Sequence, residues 1–230
     1  MFVERISRWI PMDLSFWSKR PRLRRSISLP RMKDEAAIKS LYYDEMSAAL
    51  AEATGASRVL PFYHWVRTGG DYAVDLHIDY SPARASRQFQ ESLGEDFKKN
   101  HPEKRYQILN AWRNIGDKSV ENHSLALVGT SSVTSEAVTN NPFRAACLHA
   151  SDTTRWCYYP AMGKDEVLQF KQYDSTWSDA DAADFCYHSS FSEPEAAPGH
   201  TPRESIEVRF IVVNSTEKTS HASELRGERK

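Results

Sequence analysis

Apolar side chains recur at intervals of three and four over residues 34–54, and this spacing predicts an amphipathic helix. The positions on the apolar side are Ile38, Leu41, Tyr42, Met46, Ala49 and Leu50. Gly55 follows as a natural end of the helix. A second helix is predicted over residues 86–99, where Phe89, Leu93 and Phe97 form one stripe.

Alternation of polar and apolar residues predicts a half-buried strand over residues 71–80. Apolar Tyr72, Val74, Leu76 and Ile78 would share one face, and Asp71, Ala73, Asp75, His77 and Asp79 the other. A strand at Val59–Arg67 precedes it across Thr68-Gly69-Gly70. Six further strands are predicted at residues 106–113, 124–128, 155–159, 166–173, 184–191 and 205–213.

These elements predict a mainly β protein with flanking helices, arranged as a double-sheet jelly roll. Three parts of the chain differ in composition: an apolar and basic arm at residues 1–33, the jelly-roll domain at 34–214, and a polar tail at 215–230 expected to be disordered. The arm carries Phe2, Trp9, Ile10, Phe16 and Trp17. Such a segment would pack on its own domain or on a second subunit.

Composition limits the possible partners and compartments. The 230 residues suit one domain, and the net charge of −1 gives no strong attraction to nucleic acid or to an anionic membrane. No segment approaches the roughly 20 apolar residues of a membrane span, and the N-terminus lacks the apolar stretch of a signal peptide. Cys147, Cys157 and Cys186 are typical of free thiols in a reducing compartment. We therefore expect a cytoplasmic protein.

His77 and Asp79, two residues apart on a strand, would present an imidazole and a carboxylate on one face. With a further histidine such as His188 they would form a 2-His-1-carboxylate site for Fe(II). Arg203 and Ser205 follow, and an arginine fork suits a carboxylate ligand. Considered alone, His77 and Asp79 could be an ordinary polar pair, His188 a core histidine and Arg203 a loop arginine. Their joint order is typical of Fe(II)/2-oxoglutarate oxygenases.

Several motifs extend this pattern over roughly residues 60–214. The segments that carry it are Asn110-Ala111-Trp112-Arg113, Arg155-Trp156-Cys157-Tyr158-Tyr159, residues 165–175 (DEVLQFKQYDS), His188-Ser189-Ser190-Phe191 and residues 203–209 (RESIEVR). They resemble the Asn-x-Trp-Arg-Pro, Arg-Trp-Tyr-Tyr, Asp-Glu-Val-Leu-x-x-Lys-x-x-Asp-Ser, His-x-x-Phe and Arg-x-Ser-Ile-Glu-x-Arg elements of the CmcJ/NvfI-like fungal hydroxylase/desaturase family.

The resemblance implies a non-heme Fe(II)/2-oxoglutarate-dependent oxygenase of secondary metabolism on a double-stranded β-helix. Such enzymes use dioxygen to hydroxylate, desaturate or rearrange terpenoid, meroterpenoid or alkaloid-like intermediates, and their subunits often pair. The implied iron ligands are His77, Asp79 and His188, with Arg203 and Ser205 on 2-oxoglutarate and no catalytic residue beyond the metal ligands. Asn110 and Trp112, on one face of their strand, are weaker candidates for the same cavity.

Two alternatives stay open at this point. Residues 114–119, after Arg113, depart from the family's pattern, which would suit an oxygenase-like subunit that supports a catalytic partner. A metal-binding jelly roll of another class, such as a cupin-like hydrolase or isomerase, is the other. For assembly, we expect a homodimer, or a heterodimer with a related oxygenase, whose interface uses part of residues 1–50.

Overall fold

The computed structural model describes most of the domain and two short pieces of the arm. Its backbone covers residues 3–5, 16–19, 34–128, 138–141, 144–148, 156–176, 185–193, 196 and 198–215. Side chains are described for residues 34–128, 156–176, 185–193, 196 and 198–214.

Two helical regions flank the sheets. The helices are α1 (Glu35–Ala37), α2 (Tyr43–Thr54), α3 (Pro82–Leu93) and α4 (Phe97–Asn100). A π-helical segment, Ile38–Tyr42, joins α1 to α2, so the predicted helix is confirmed as one continuous run. Gly55 ends it at a φ of 65°, a conformation that glycine adopts without a steric cost. The second predicted helix is instead interrupted at Gly94, which lies between α3 and α4.

Twelve strands in the described residues form two sheets. They are β1 (Val3–Arg5), β2 (Phe16–Lys19), β3 (Arg58–Arg67), β4 (His77–Ile78), β5 (Lys104–Asn114), β6 (Leu125–Val128), β7 (Val138–Asn141), β8 (Arg144–Leu148), β9 (Trp156–Tyr158), β10 (Val167–Asp174), β11 (Tyr187–Ser190) and β12 (Ser205–Ser215). One sheet has the order β1-β9-β6-β11-β4-β8-β7, and the other β2-β10-β5-β12-β3. All pairs are antiparallel except β1 with β9.

The core lies between the sheets and beneath the long helix. Trp112, Leu168 and Phe170 of the five-stranded sheet pack with Leu127 and Cys157 of the other sheet. On the outer face of the five-stranded sheet, α2 and the π-helical segment bury their apolar side against β12; the residues in contact are Tyr42, Met46, Leu50, Ile206, Val208, Phe210 and Val212. The predicted mainly β jelly roll with flanking helices is thus confirmed, with the helix stabilised by burial of its apolar side.

The strand predicted over residues 71–80 is wrong for most of its length. Only His77–Ile78 pairs as a strand, and Val74, expected on the buried face, is 67% exposed. The preceding backbone bonds elsewhere: Ser190 N donates to Ala73 O at 2.7 Å, and Ser189 Oγ donates to Val74 O at 2.8 Å. These contacts give the segment hydrogen-bond partners outside a regular ladder, so its alternating sequence does not produce a strand.

The expectations for the two ends of the chain are largely outside the described residues. Phe2, Trp9 and Ile10 lie there, as does the tail after Ser215, whose disorder stays a prediction. Within the arm, β1 and β2 each add a strand to the edge of a sheet of the same chain. The described helices include none that is long and apolar enough to cross a membrane.

Candidate metal centre

Two neighbouring strands bring the predicted ligands together. His188 of β11 lies directly opposite His77 of β4 in the antiparallel ladder, and Asp79 follows immediately after β4. The three side chains are buried, with exposures of 2% for His77, 4% for Asp79 and 4% for His188. Residues 111 positions apart in the chain (188 − 77) therefore meet through strand pairing rather than through local sequence.

The donor atoms are spaced as for one shared ion. His77 Nε2 lies 3.7 Å from Asp79 Oδ1, and His188 Nε2 lies 3.7 Å from Asp79 Oδ2. One ligand atom from each residue falls within 4.8 Å of the other two. These separations are too long for hydrogen bonds. An ion at roughly 2.0–2.2 Å from nitrogen and oxygen ligands would fit between such atoms.

The second nitrogen of each imidazole faces a backbone carbonyl. His77 Nδ1 lies 2.5 Å from Asp75 O, and His188 Nδ1 lies 3.4 Å from Cys186 O. His188 Nδ1 lies equally far from Cys186 O and from the donor Gln172 Nε2, at 3.4 Å each. A carbonyl oxygen only accepts, so the short contact of His77 favours a proton on its Nδ1 and a lone pair on its Nε2. Such a contact behind the ring fixes the tautomer and orientation that metal-binding histidines need. The donor set therefore fits a divalent transition metal such as Fe(II).

Asp79 is fixed from behind by three side chains. Arg209 Nη2 lies 3.0 Å from Asp79 Oδ2, and Asn110 Nδ2 donates to the same oxygen at 3.1 Å. The backbone N–H of Asp79 donates to Gln172 Oε1 at 2.8 Å. Burial alone would raise the pKa of Asp79, but Arg209, then His188, His77 and Asn110, hold it below its usual range. The carboxylate is therefore available in its charged, ligating form.

Arg203 forms a second feature of the site. Its guanidinium lies 4.4 Å from the centre of the Tyr72 ring and 5.3 Å from that of Trp112, and Nη1 donates to His123 O. Arg203 is 5% exposed. Among the described side chains, no carboxylate lies within 4.0 Å of it, and its Nε has no hydrogen-bond partner. A buried cation in this state can bind the carboxylate of a ligand.

The other two predicted residues occupy different places. Ser205 is buried at the start of β12, two residues after Arg203. Asn110, predicted as a cosubstrate residue, donates instead to Asp79, and its own Oδ1 is buried without a partner. Its contact with a cosubstrate thus stays a prediction, while its contact with a candidate metal ligand is observed.

A cavity of about 760 Å³ opens beside Asp79 and Arg209. The aromatic part of its wall is formed by Phe62, Tyr63, Trp65, Tyr72 and Tyr80, and most of the other lining residues are charged. Its size and its position next to Asp79 are typical of a small-molecule site.

Sequence analysis did not identify Arg209, Gln172 or Tyr72 as parts of the site. Arg209 ends the Arg-x-Ser-Ile-Glu-x-Arg motif, and Gln172 lies inside the segment of residues 165–175 that carries another motif. Their positions inside these motifs could have indicated a role in the site. No sequence feature indicated such a role for Tyr72, because it was assigned to the apolar face of a strand that does not form.

Comparison with known proteins gives consistent matches. A profile of the oxidoreductase/YMDC permease-like domain family (YDMC) matches residues 23–213. The chain is 30% identical over 204 residues to the α-ketoglutarate-dependent dioxygenase phiK of a fungal species (strain ATCC 74256), covering 78% of this chain and 72% of phiK. It is 29% identical over 222 residues to the hydroxylase/desaturase efuI of Hormonema carpetanum, covering 78% of this chain and 72% of efuI.

A solved structure has the same fold. The iron and α-ketoglutarate-dependent endoperoxidase NvfI superposes with a TM-score of 0.74 at 24% identity, over 88% of this chain and 77% of NvfI. This likeness extends over nearly all of the described domain.

Proposed function

We propose that His77, Asp79 and His188 bind the Fe(II) of this chain, which belongs to the oxidoreductase/YMDC permease-like domain family and to the α-ketoglutarate-dependent dioxygenases. It is an oxygenase that uses Fe(II), 2-oxoglutarate (α-ketoglutarate) and dioxygen. We further propose that Arg203, assisted by Ser205, binds the distal carboxylate of 2-oxoglutarate.

The observation that carries the metal assignment is the pair of imidazole Nε2 atoms facing one buried carboxylate at 3.7 Å each. All three side chains are buried, and one ligand atom from each lies within 4.8 Å of the other two, which is the arrangement that a shared ion requires. For the cosubstrate, the support is the buried guanidinium of Arg203, which lacks a carboxylate partner among the described side chains.

The side chains of the site have separable tasks. His77 and His188 donate lone pairs from Nε2, and Asp79 contributes its charge while Arg209 and Asn110 fix its orientation. Trp112 and Tyr72 exclude water from the Arg203 guanidinium, which strengthens its pairing with a carboxylate. When bound, iron with 2-oxoglutarate and dioxygen supplies the oxidation of an unactivated C–H bond. The protein's part is to place that bond and exclude competing reactions.

The substrate is proposed to be a small natural product of fungal secondary metabolism, with a terpenoid, meroterpenoid or alkaloid-like skeleton, which is hydroxylated, desaturated or rearranged. The size of the cavity beside Asp79 and the aromatic part of its wall support a molecule of this size with a hydrophobic body. The alternative of a non-catalytic supporting subunit is not favoured, because the relatives are dioxygenases and the candidate ligands are all in place.

Assembly and location are part of the proposal. We infer a dimer, with an identical chain or a related oxygenase, whose interface uses part of residues 1–50. Two-fold dimers are the commonest soluble assemblies, although β1 and β2 pair within the chain. Light scattering on the full chain tests this, and a monomer would overturn it. A cytoplasmic location is supported by the free, buried thiol of Cys186.

Metal binding by the full chain tests the assignment of the ligands. We expect Co²⁺, used as a spectroscopic substitute for Fe(II), to bind to the wild-type protein and not to His77→Ala, while far-UV circular dichroism stays unchanged. His101→Ala is the matched control, because His101 is an exposed histidine away from the three ligands. Succinate release from 2-oxoglutarate with Fe(II) and ascorbate should likewise be retained in the wild type and in His101→Ala and be lost in His77→Ala. Equal Co²⁺ binding by His77→Ala would overturn the assignment.

A further inference from the structure

We propose that the cavity beside Asp79 takes a hydrophobic carboxylic acid as substrate and that Arg84 binds the carboxylate of that substrate. The inference rests on the proposed function, because it assigns the substrate class of the same site. Arg84 belongs to α3, and its side chain lines the cavity together with Asp79, Tyr80 and Arg209.

Arg84 lies next to a candidate metal ligand. Its Nη1 donates to Asp79 O at 3.3 Å, and its guanidinium lies 5.3 Å from the centre of the Tyr80 ring. A carboxylate bound by Arg84 would therefore be anchored close to the residue that contributes charge to the metal centre.

The charges of the cavity wall single out Arg84. Three arginines line the cavity: Arg209 pairs with Asp79 and Glu207 at 3.0 Å each, and Arg67 pairs with Asp71 at 3.2 Å. Arg84 has no carboxylate within 4.0 Å among the side chains that the structure describes. Arg84 is exposed, and its Nε and Nη2, which donate to no described group, are thus available to a carboxylate ligand.

The position of Arg84 in its helix is not one that stability favours. It is the third residue of α3, which starts at Pro82, and the first turn of this helix contains no acidic residue. The positive end of the helix dipole disfavours a cation there and favours an anion. A substrate carboxylate beside Arg84 would be attracted both by the guanidinium and by the positive end of the helix dipole.

The wall also carries four acidic residues, of which Asp71 pairs with Arg67 and Asp79 with Arg209. Asp75 and Glu91 line the cavity as exposed side chains. Glu91 is seven residues beyond Arg84, which is about 10 Å along the helix axis. The apolar body of the substrate would lie on the aromatic wall, where Trp65 is 44% and Tyr63 is 36% exposed. Aromatic side chains left open to solvent at a cavity are typical of a binding surface.

The test compares an acid with its ester. Abietic acid and methyl abietate have the same tricyclic body and differ in charge, and calorimetry on the full, Co²⁺-loaded chain with 2-oxoglutarate measures both dissociation constants. We expect the acid to bind about tenfold or more tightly than the ester, as one charged hydrogen-bonded pair provides. In Arg84→Gln the preference should fall to about threefold or less, and Arg84→Lys should retain part of it.

Arg87→Gln is the matched control, since Arg87 is an exposed arginine of the same helix that does not line the cavity. It should keep the full preference for the acid. Equal binding of acid and ester by the wild-type protein, binding of neither, or an unchanged preference in a folded Arg84→Gln variant would overturn the inference. His77→Ala, titrated with Co²⁺ in the same series, would show separately whether the proposed metal centre stands.

Discussion

Two arginines at the C-terminal end of the domain, Arg203 and Arg209, have opposite surroundings. Arg209 lies between two carboxylates, with Nη2 3.0 Å from Asp79 Oδ2 and Nε 3.0 Å from Glu207 Oε1. Arg203, six residues earlier, is packed between the rings of Tyr72 and Trp112 and has no carboxylate within 4.0 Å among the described side chains.

The pKa values of Arg203 and Arg209 are shifted in opposite directions. Burial lowers the pKa of Arg203 to about 10; Tyr72 and Glu207 act to raise it, and the charge of Arg67 acts to lower it further. Burial also acts to lower the pKa of Arg209, but Asp79 and then Glu207 raise it above its ordinary value. Arg209 is thus a paired cation whose charge is stabilised within the protein, whereas Arg203 is a cation whose stabilisation is incomplete until an anion binds.

The two arginines are therefore expected to have different roles. A paired arginine beside a candidate metal ligand orients that ligand and lowers the cost of its burial. A buried arginine without a carboxylate partner is suited to bind the carboxylate of a ligand, which we propose to be the cosubstrate. Substitution of Arg209 should therefore act mainly on stability, and substitution of Arg203 mainly on ligand affinity.

The largest effect is expected for Arg209→Met. Loss of Arg209 leaves Asp79 buried with Asn110 as its remaining side-chain donor on Oδ2 among the contacts described. Breaking a buried ion pair by removing one partner costs about 3–5 kcal/mol. We expect the free energy of unfolding of the metal-free protein, measured in urea, to fall by about this amount.

A double variant provides the control for Arg209. Asp79→Asn combined with Arg209→Met removes both charges, so the metal-free protein should recover most of the lost stability. A single Arg209→Met variant as stable as the wild type would show that the ion pair seen at 3.0 Å contributes nothing to the fold.

Arg203→Ala should weaken 2-oxoglutarate binding with little loss of stability. Removing one partner of a buried charged pair costs about 2–5 kcal/mol, so the apparent 2-oxoglutarate requirement should rise at least tenfold. Titration of the Co²⁺-loaded protein measures this. The 2-oxoglutarate requirement of Arg203→Lys should lie between those of the wild type and Arg203→Ala, because lysine keeps the charge but lacks the planar guanidinium fork. An unchanged requirement would contradict the assignment of Arg203.

The contrast between the two arginines could not be predicted from the sequence. The motif that contains both was recognised, and it predicted a carboxylate partner for Arg203 but gave no role to Arg209. Which arginine is paired depends on Asp79, which lies in a distant part of the chain and meets Arg209 only in the folded domain. The residue types of Asp79 and Arg209 can be read from the sequence, but their contact cannot, because the two positions are far apart in the chain.

The fold was more accessible to sequence analysis than the site. The long helix and the strands that became β3, β5, β10 and β12 were predicted because each has a sustained period and a clear hydrophobic face. Residues 71–76 have an equally clear alternation, yet their backbone groups bond to Ser189 and Ser190 instead. β7 and β8 were missed, since residues 138–148 carry no strong alternation.

Asp174 provides a paired carboxylate outside the site for comparison. It is fully buried and contacts Arg105 and Lys171, the latter at 2.9 Å. Burial would raise the pKa of Asp174, but Arg105 and Lys171 lower it well below its usual range. A depressed pKa in the folded state gives stability that is present above the unfolded pKa of about 3.9 and is lost as the pH falls.

We therefore expect Asp174→Asn to lose about 1–3 kcal/mol of unfolding free energy at pH 7, as for a hydrogen bond to a charged group. The difference from the wild type should shrink as the pH falls below about 4. Urea unfolding over a pH series measures both quantities. A difference that is independent of pH would mean that the charge of Asp174 does not contribute.

The smallest effect is expected for Tyr72→Phe, which separates the two contacts of Tyr72 with Arg203. The hydroxyl donates to Arg203 O at 3.2 Å, whereas the ring lies 4.4 Å from the guanidinium. Phenylalanine keeps the ring and loses only one part-buried hydrogen bond, about 0.5–1.5 kcal/mol of stability. Its 2-oxoglutarate affinity should stay within about twofold of wild type. Tyr72→Ala also loses the ring and exposes the cation to water, so its affinity should fall further. Equal affinities of the two variants would show that the ring does not prepare Arg203 for its ligand.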